Sequence, residues 1–171
     1  MKSEIRKQMI LTRNQMSSNS LKDKNDKIIK AILDDDHFQN AKCVGIYYPL
    51  KNEVNLLPLT NGKQKFAFPR VESDGIHFYL LDAKTSFKKS QFGVMEPTGS
   101  ENIDKDIDYL LVPALAISKD TYRIGFGKGY YDQFLTKVRP SFVMGVIYDF
   151  QEVEHIKNES HDQKLDGYFK G

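Results

Sequence analysis

Three glycines alternate at Gly125, Gly127 and Gly129, with Arg123 and Lys128 among them and Tyr130-Tyr131-Asp132 directly after. Glycine lets a backbone approach an anion closely and adopt positive φ. Where such a loop runs into a helix, free N–H groups and the helix dipole add partial positive charge. Arg123 and Lys128 add full charges, so the segment reads as a cradle for phosphate. Its spacing separates it from two common cradles. A dinucleotide fingerprint needs a third glycine where Tyr130 stands, and a P-loop needs Ser or Thr after its lysine, where Gly129 stands. Asp132 falls in the first turn of the following helix. There a carboxylate either compensates the dipole or serves as an oxygen ligand for a hard cation beside phosphate.

A second group of cations lies at the start of the chain. The spacing predicts a helix over residues 3–16, with Ser3 as N-cap and Glu4 in the first turn. At about 100° per residue, Ile5, Met9 and Met16 make one apolar stripe, and Lys2, Arg6 and Arg13 lie on the stripe beside it. Two readings stand: a helix that docks and aims three cations at one edge, or a solvated basic face. Residues 1–30 hold eight basic and three acidic side chains, and the rest of the chain 17 and 20. Positive charge is thus gathered at one end, which suits a phosphate-bearing partner of any size.

The elements that must position these residues follow from patterning. A second helix is expected over 21–34, with Leu21, Ile28, Ile29, Ile32 and Leu33 inward and Asp34-Asp35-Asp36 as a solvated end rather than a metal site. Strands are expected at Lys42–Tyr48, Lys65–Phe68 (ended by Pro69), Ile76–Leu81, Tyr109–Val112 and Phe142–Ile147. A turn at Asp74-Gly75 suggests a hairpin from Val71. Asn52–Leu59 is weakly helical, residues 84–106 read as a long surface loop, and Tyr130–Val138 as a helix. The last segment is polar with a short apolar finish at Tyr168-Phe169. Strands separated by helices predict an α/β fold with a largely parallel sheet, in one domain over 1–171. Ligands then collect beyond the carboxyl ends of the strands, after Tyr48, after Val112 and in the loop leading to residue 123.

Other features exclude function classes. No apolar stretch approaches the length of a membrane span, and Lys2, Glu4, Arg6 and Lys7 interrupt any signal-peptide core. A soluble cytoplasmic protein is the expectation. The single cysteine, Cys43, lies in an apolar run and reads as a buried thiol. The histidines His37, His77, His155 and His161 are scattered, so no zinc site is expected. Residues 1–37 hold no Phe, Tyr or Trp, which argues against a nucleic-acid-binding surface there.

Val112-Pro113-Ala114-Leu115-Ala116 followed by Tyr122 to Asp132 resembles the signature of the 5-formyltetrahydrofolate cyclo-ligase (5,10-methenyltetrahydrofolate synthetase) family. Lys2–Arg6 is similar to its N-terminal Lys-x-x-x-Arg. Tyr47 to Val54 is similar to its first substrate segment, and His161 to Asp166 to its C-terminal acidic motif. The resemblance implies a three-layer α/β/α domain of the kind shared by sugar-phosphate isomerases and CoA transferases (NagB/RpiA/CoA transferase-like). It implies ATP- and Mg²⁺-dependent closure of 5-formyltetrahydrofolate to 5,10-methenyltetrahydrofolate, with ADP and phosphate released, by a monomer that needs neither nucleic acid nor membrane. Lys2, Ser3, Glu4, Ile5 and Arg6 would bind ATP, with the run Arg123, Ile124, Gly125, Phe126, Gly127, Lys128, Gly129, Tyr130 and Tyr131. Tyr48 and Glu53 would face the folate, with Phe126 to Tyr130 where the two substrates meet. Arg123 and Lys128 would stabilise the transferring phosphoryl group, and Asp132 and Asp162 would hold Mg²⁺, with His161 beside Asp162. The chain departs from the pattern at Ala114 and Thr121, where the family often has Gly, at Ser118, where it often has Asp, and in a shorter stretch from Glu53 to Pro69. Thr121 puts the turn before Arg123 at issue. A phosphosugar isomerase on the same fold, without ATP, is the rival reading.

Overall fold

The computed structural model describes all residues from Met1 to Gly171. Three helices precede the sheet: α1 (Lys2–Gln15), α2 (Ser18–Leu33) and the single turn α3 (Asp36–Gln39). The strands are β1 (Cys43–Gly45), β2 (Lys65–Glu72), β3 (Gly75–Leu80), β4 (Phe87–Lys89), β5 (Met95–Pro97), β6 (Tyr109–Pro113), β7 (Ala116–Ser118) and β8 (Arg123–Ile124). Then come α4 (Tyr130–Lys137), β9 (Phe142–Ile147), β10 (Glu152–Val153) and β11 (Gly167–Lys170). The main sheet has the order β11-β9-β6-β1-β2-β3, parallel throughout except for the β2–β3 hairpin. A small sheet β10-β7-β8 and the hairpin β4–β5 stand apart from it.

Side-chain alternation along the strands explains the layers. Val44, Phe66, Phe68, Tyr109 and Leu111 point to one face, where they pack with Leu21, Ile28 and Ile32 of α2. Cys43, Ala67, Leu110, Val112 and Val143 point to the other, against Phe134 and Leu135 of α4. A sheet buried on both faces needs such continuous apolar strands. The expected α/β/α arrangement and the buried Cys43 are what the structure shows. Met9 of α1 packs separately with Leu115, Ala116, Ile124 and Ile156 on the small sheet, which brings α1 to the glycine loop.

Several boundaries differ from expectation, each for a physical reason. α1 begins at Lys2 with no side-chain cap, so Ser3 lies inside it. α2 begins at Ser18 because the Ser17 hydroxyl accepts from Ser20 N at 3.1 Å. The acidic run is more than a solvated end: Asp35 caps α3 and accepts the Tyr109 hydroxyl at 2.7 Å. β1 is three residues long; Ile46 N still donates to Ala67 O at 2.9 Å, and Tyr47 and Tyr48 then enter the lining of the cavity described below. Pro69 does not end β2. It pairs with Phe78, which turns its N–H to Asp104 and its C=O to Ile103 N on its far side, so nothing requires a donor from the proline. The expected helix at Asn52–Leu59 is a 3-10 turn at Leu57–Asn61. The expected surface loop at 84–106 contains β4, β5 and a 3-10 turn at Asp104–Asp106. The polar C-terminus ends in an edge strand, β11.

The edge strand β3 is held by a charged clamp. His77 Nδ1 lies 2.6 Å from Asp104 Oδ2 and its Nε2 lies 2.8 Å from Asp74 Oδ1. Asp104 first, opposed by partial burial and seconded by Asp74, raises the imidazole above its ordinary 6.5. A histidine raised on folding stabilises fully below its unfolded value and loses that contribution as pH rises through the folded value. Stability against urea should therefore fall as pH rises above about 6.5. His77→Gln should flatten that slope.

Candidate active site

A cavity of about 750 Å³ opens beyond the carboxyl ends of the central strands, the place expected for a parallel sheet. One end is built by the glycine loop. Gly127 (φ 98°) and Gly129 (φ 70°) take left-handed conformations that carry the chain over the start of α4. Gly125 serves differently: a Cβ there would lie 2.5 Å from the Arg123 guanidinium. That guanidinium is further fixed by Nε donating to Pro113 O at 3.1 Å and by the Tyr131 ring, 5.2 Å from Cζ to centroid. Burial pulls Arg123 below the ordinary arginine value against the fields of Asp132, Tyr131, Asp162 and Glu53; a guanidinium still stays charged.

The turn at issue before Arg123 is made without glycine. Thr121 sits at φ 70°. The strain this costs a β-branched residue is offset by two bonds to the C-terminal segment: Thr121 Oγ1 donates to Leu165 O at 2.9 Å, and Leu165 N donates to Thr121 O at 2.9 Å. Ser118, another departure, is fully buried and bonds Asp120 across the same turn.

α1 delivers the first two N-terminal cations. Arg6 Nε donates to Gly125 O at 2.8 Å, placing its guanidinium against Gly127. Lys2 Nζ reaches Asp162 Oδ2 at 2.8 Å. The docked reading of the stripe therefore holds for Lys2 and Arg6, both in the cavity lining. Arg13 does not line the cavity with them: it is 4% exposed, and its neighbour Asn14 accepts from Asn52 Nδ2. Ser3, Glu4 and Ile5 do not line the cavity; Ile5 packs instead beside Met9.

Asp132 and Asp162 come together through the turn at 159–163. Asp132 Oδ1 accepts Gln163 N at 3.1 Å, and Asp162 Oδ2 accepts Glu159 N at 2.7 Å. Burial works to raise the Asp162 carboxyl, but Lys2 and the Glu159 N–H outweigh it and hold it below the usual range. His161 lies 3.5 Å from Asp162 and is exposed.

The opposite end is a mixed aromatic and aliphatic wall, with Tyr48, Pro69, Val71 and Ile76. Glu53 enters it from a turn closed by Glu53 N donating to Leu50 O, with Asn52 at φ 64°. Glu53 is 8% exposed, and its Oε1 accepts Leu50 N at 2.9 Å. Burial raises its carboxyl, against the Leu50 N–H and the fields of Arg13 and Arg123. The chain reading missed a third wall. Ser90, Phe92, Val94 and Glu96 of the β4–β5 hairpin line the cavity, and Lys128 Nζ stands 5.4 Å from the Phe92 ring. Phe92 (50%) and Phe126 (46%) leave two large apolar surfaces open at the mouth. A signal for this hairpin exists in Ser90-Gln91-Phe92-Gly93, a turn-prone sequence between Phe87 and Met95.

A doubly covered parallel sheet with a cationic glycine cradle at one end of its cleft and a flat-ring-sized wall at the other defines an α/β enzyme for anionic small molecules. The comparisons sharpen that class. The model of the 5-formyltetrahydrofolate cyclo-ligase family matches residues 1–169, and the chain belongs to that family. It is 31% identical to the 5-formyltetrahydrofolate cyclo-ligase of Mycoplasma genitalium over 96% of this chain and 94% of that protein. The NMR structure of the Aquifex aeolicus 5,10-methenyltetrahydrofolate synthetase superposes with a TM-score of 0.88 at 32% identity, covering 99% of this chain and 89% of that one. The Mycoplasma pneumoniae synthetase superposes with 0.79 at 27% identity, covering 98% and 96%.

Proposed function

We propose that this protein closes 5-formyltetrahydrofolate to 5,10-methenyltetrahydrofolate with ATP, releasing ADP and phosphate. The observation that carries the reading is one cavity joining the cations of the glycine loop and α1 to the wall of Tyr48 and Glu53. The triphosphate lies along Arg123 to Tyr131 with Lys2 and Arg6 around it, and the folate ring lies against Tyr48 with Glu53 accepting from its donor-rich edge. The formyl oxygen attacks the γ-phosphorus and ADP leaves. N10 of the folate then attacks the activated formyl carbon, and the C–O bond to phosphate breaks as the ring closes. Arg123 and Lys128 stabilise charge on the phosphoryl group, and no protein nucleophile is required. The apolar Pro69, Val71 and Ile76 of this wall favour a flat ring over a sugar phosphate.

No group of three His, Cys, Asp or Glu side chains forms a metal cage. Mg²⁺ beside a nucleotide needs only one or two carboxylates, because phosphates and waters fill its other positions. Asp132 and Asp162 fit that role: both are oxygen donors on the cavity wall, tied to one turn. The ion would neutralise phosphate charge. Asp132→Asn retains the oxygen that accepts Gln163 N, so the fold should persist. Half-maximal turnover should then need about tenfold more Mg²⁺. Unchanged Mg²⁺ dependence would return Asp132 to a helix-dipole role.

The whole reading is tested by following methenyltetrahydrofolate absorbance with purified protein. Product should form only when 5-formyltetrahydrofolate, ATP and Mg²⁺ are all present. Formation without ATP, or none with it, overturns the assignment.

A further inference from the structure

Arg13 is buried to 4% exposure, yet makes no ion pair within 4.0 Å, and its Nε is the chain's one buried side-chain polar atom without a partner. Native folds rarely leave such a group, and each instance asks for an explanation. Its place offers one. Arg13 lies seven residues after Arg6 on α1, about 10 Å further along the helix axis. The helix therefore runs from the phosphate end of the cavity toward the Glu53 end. Asn14 clamps it there: Asn52 Nδ2 donates to Asn14 Oδ1 at 3.0 Å. Asn52 immediately precedes Glu53, so the arginine is held behind the turn that presents that carboxylate. Glu53 uses Oε1 for Leu50 N, and its Oε2 accepts no hydrogen bond within the chain.

We infer that Arg13 is a positioning residue for the folate end of the site, a fixed cation behind the wall that keeps the Glu53 carboxylate charged and turned to the cavity. The inference rests on the reading of Glu53 as a folate ligand. The groups facing Glu53 are Arg13 from α1, Arg123 from β8, and the phenols of Tyr47, Tyr131 and Tyr148. Burial raises all three phenols, which leaves them neutral. The two arginines are therefore the only countercharges. Arg123 is committed to Pro113 and Tyr131, which leaves Arg13 as the charge with no other partner. No ion pair joins Arg13 to Glu53 within 4.0 Å, so its field acts on the carboxylate without consuming the oxygen meant for the ligand.

The test measures 5-formyltetrahydrofolate affinity by calorimetry across the acid-to-neutral range for the full chain and its variants. Removing the cation makes Glu53 harder to ionise. The acid limb of folate binding in Arg13→Met should therefore move up by about one pH unit, a roughly tenfold loss of affinity on that limb. The KM for ATP should stay within about twofold, because the phosphate end is untouched. Arg13→Lys should keep the limb near its original place. In a Glu53→Gln background, Arg13→Met should change nothing further. If Arg13→Met does not fold, Arg13→Gln replaces it and its limb must move the same way. A folded variant with an unmoved limb, or an equal loss in the Glu53→Gln background, overturns the role of Arg13. If Glu53→Gln itself leaves folate affinity and its pH profile unchanged, the failure lies in the reading of Glu53 instead.

Discussion

Arg123→Lys should lower turnover by about 10²–10³-fold while leaving the melting temperature nearly unchanged. The charge survives the substitution, so the loss would measure geometry. The guanidinium is fixed from three sides: Pro113 O at 3.1 Å, the Tyr131 ring at 5.2 Å, and the bare Cα of Gly125. A lysine ammonium cannot stack on the ring or present a fork to a phosphoryl group. An independent variant probes the same geometry without touching the charge. In Gly125→Ala the new Cβ would fall 2.5 Å from Arg123 Nη2, so the guanidinium must leave its seat. Its turnover should drop toward that of Arg123→Lys, and the double variant should be little worse than either single one. Single-turnover kinetics at saturating ATP check both. An Arg123→Lys enzyme with full kcat would show that any cation at this position suffices.

The parts of this site that were legible in the sequence are those whose chemistry is local. Gly125, Gly127 and Gly129 announce a cradle because consecutive residues make it, and Lys2 and Arg6 share an edge because a helix repeats every 3.6 residues. The central strands were legible because both their faces are buried, which leaves unbroken apolar runs such as Tyr109 to Val112. What was not legible depends on distant partners. Pro69 reads as a strand breaker until Phe78 is seen to turn its own hydrogen bonds outward. β4 and β5 bury little of themselves, with only Pro97 fully inside, so Lys88-Lys89-Ser90 carries no period. The hairpin's order comes from elsewhere: Glu96 accepts Val71 N at 2.8 Å, and Arg70 donates to Pro97 O and Gly99 O at 2.9 and 2.7 Å. Phe87 packs 5.0 Å from Tyr48, so the hairpin completes the wall that Tyr48 begins. Arg13 shows the same limit. Spacing places it on the stripe of Lys2 and Arg6, but its 4% exposure depends on packing against segments distant in the chain, such as the one that ties Asn52 to Asn14.

Glu53→Gln should make the empty protein more stable and the enzyme worse. In the folded chain burial raises the Glu53 carboxyl above its ordinary range, against the Leu50 N–H and the fields of Arg13 and Arg123. A carboxyl raised on folding costs nothing below its unfolded value. It destabilises progressively as pH rises from there through the folded value, so the cost is larger at neutral pH than in acid. Glutamine is neutral throughout and keeps an oxygen for Leu50 N, so its melting temperature at neutral pH should exceed that of the wild type by a few degrees. The advantage should vanish in acid. On the proposed role of Glu53 the folate, by contrast, loses a charged acceptor at its donor-rich edge, and the amide presents N–H groups of its own there. Hydrogen bonds to charged groups contribute about 1.5–3 kcal/mol, so the KM for 5-formyltetrahydrofolate should rise about 10- to 100-fold. The KM for ATP should change far less, since Arg123 keeps its seat on Pro113 O and the Tyr131 ring without Glu53. Calorimetric melting at two pH values and steady-state kinetics in both substrates separate these effects. A variant that loses stability at neutral pH, or keeps its folate KM, would mean that the buried charge is there for the fold and not for the ligand.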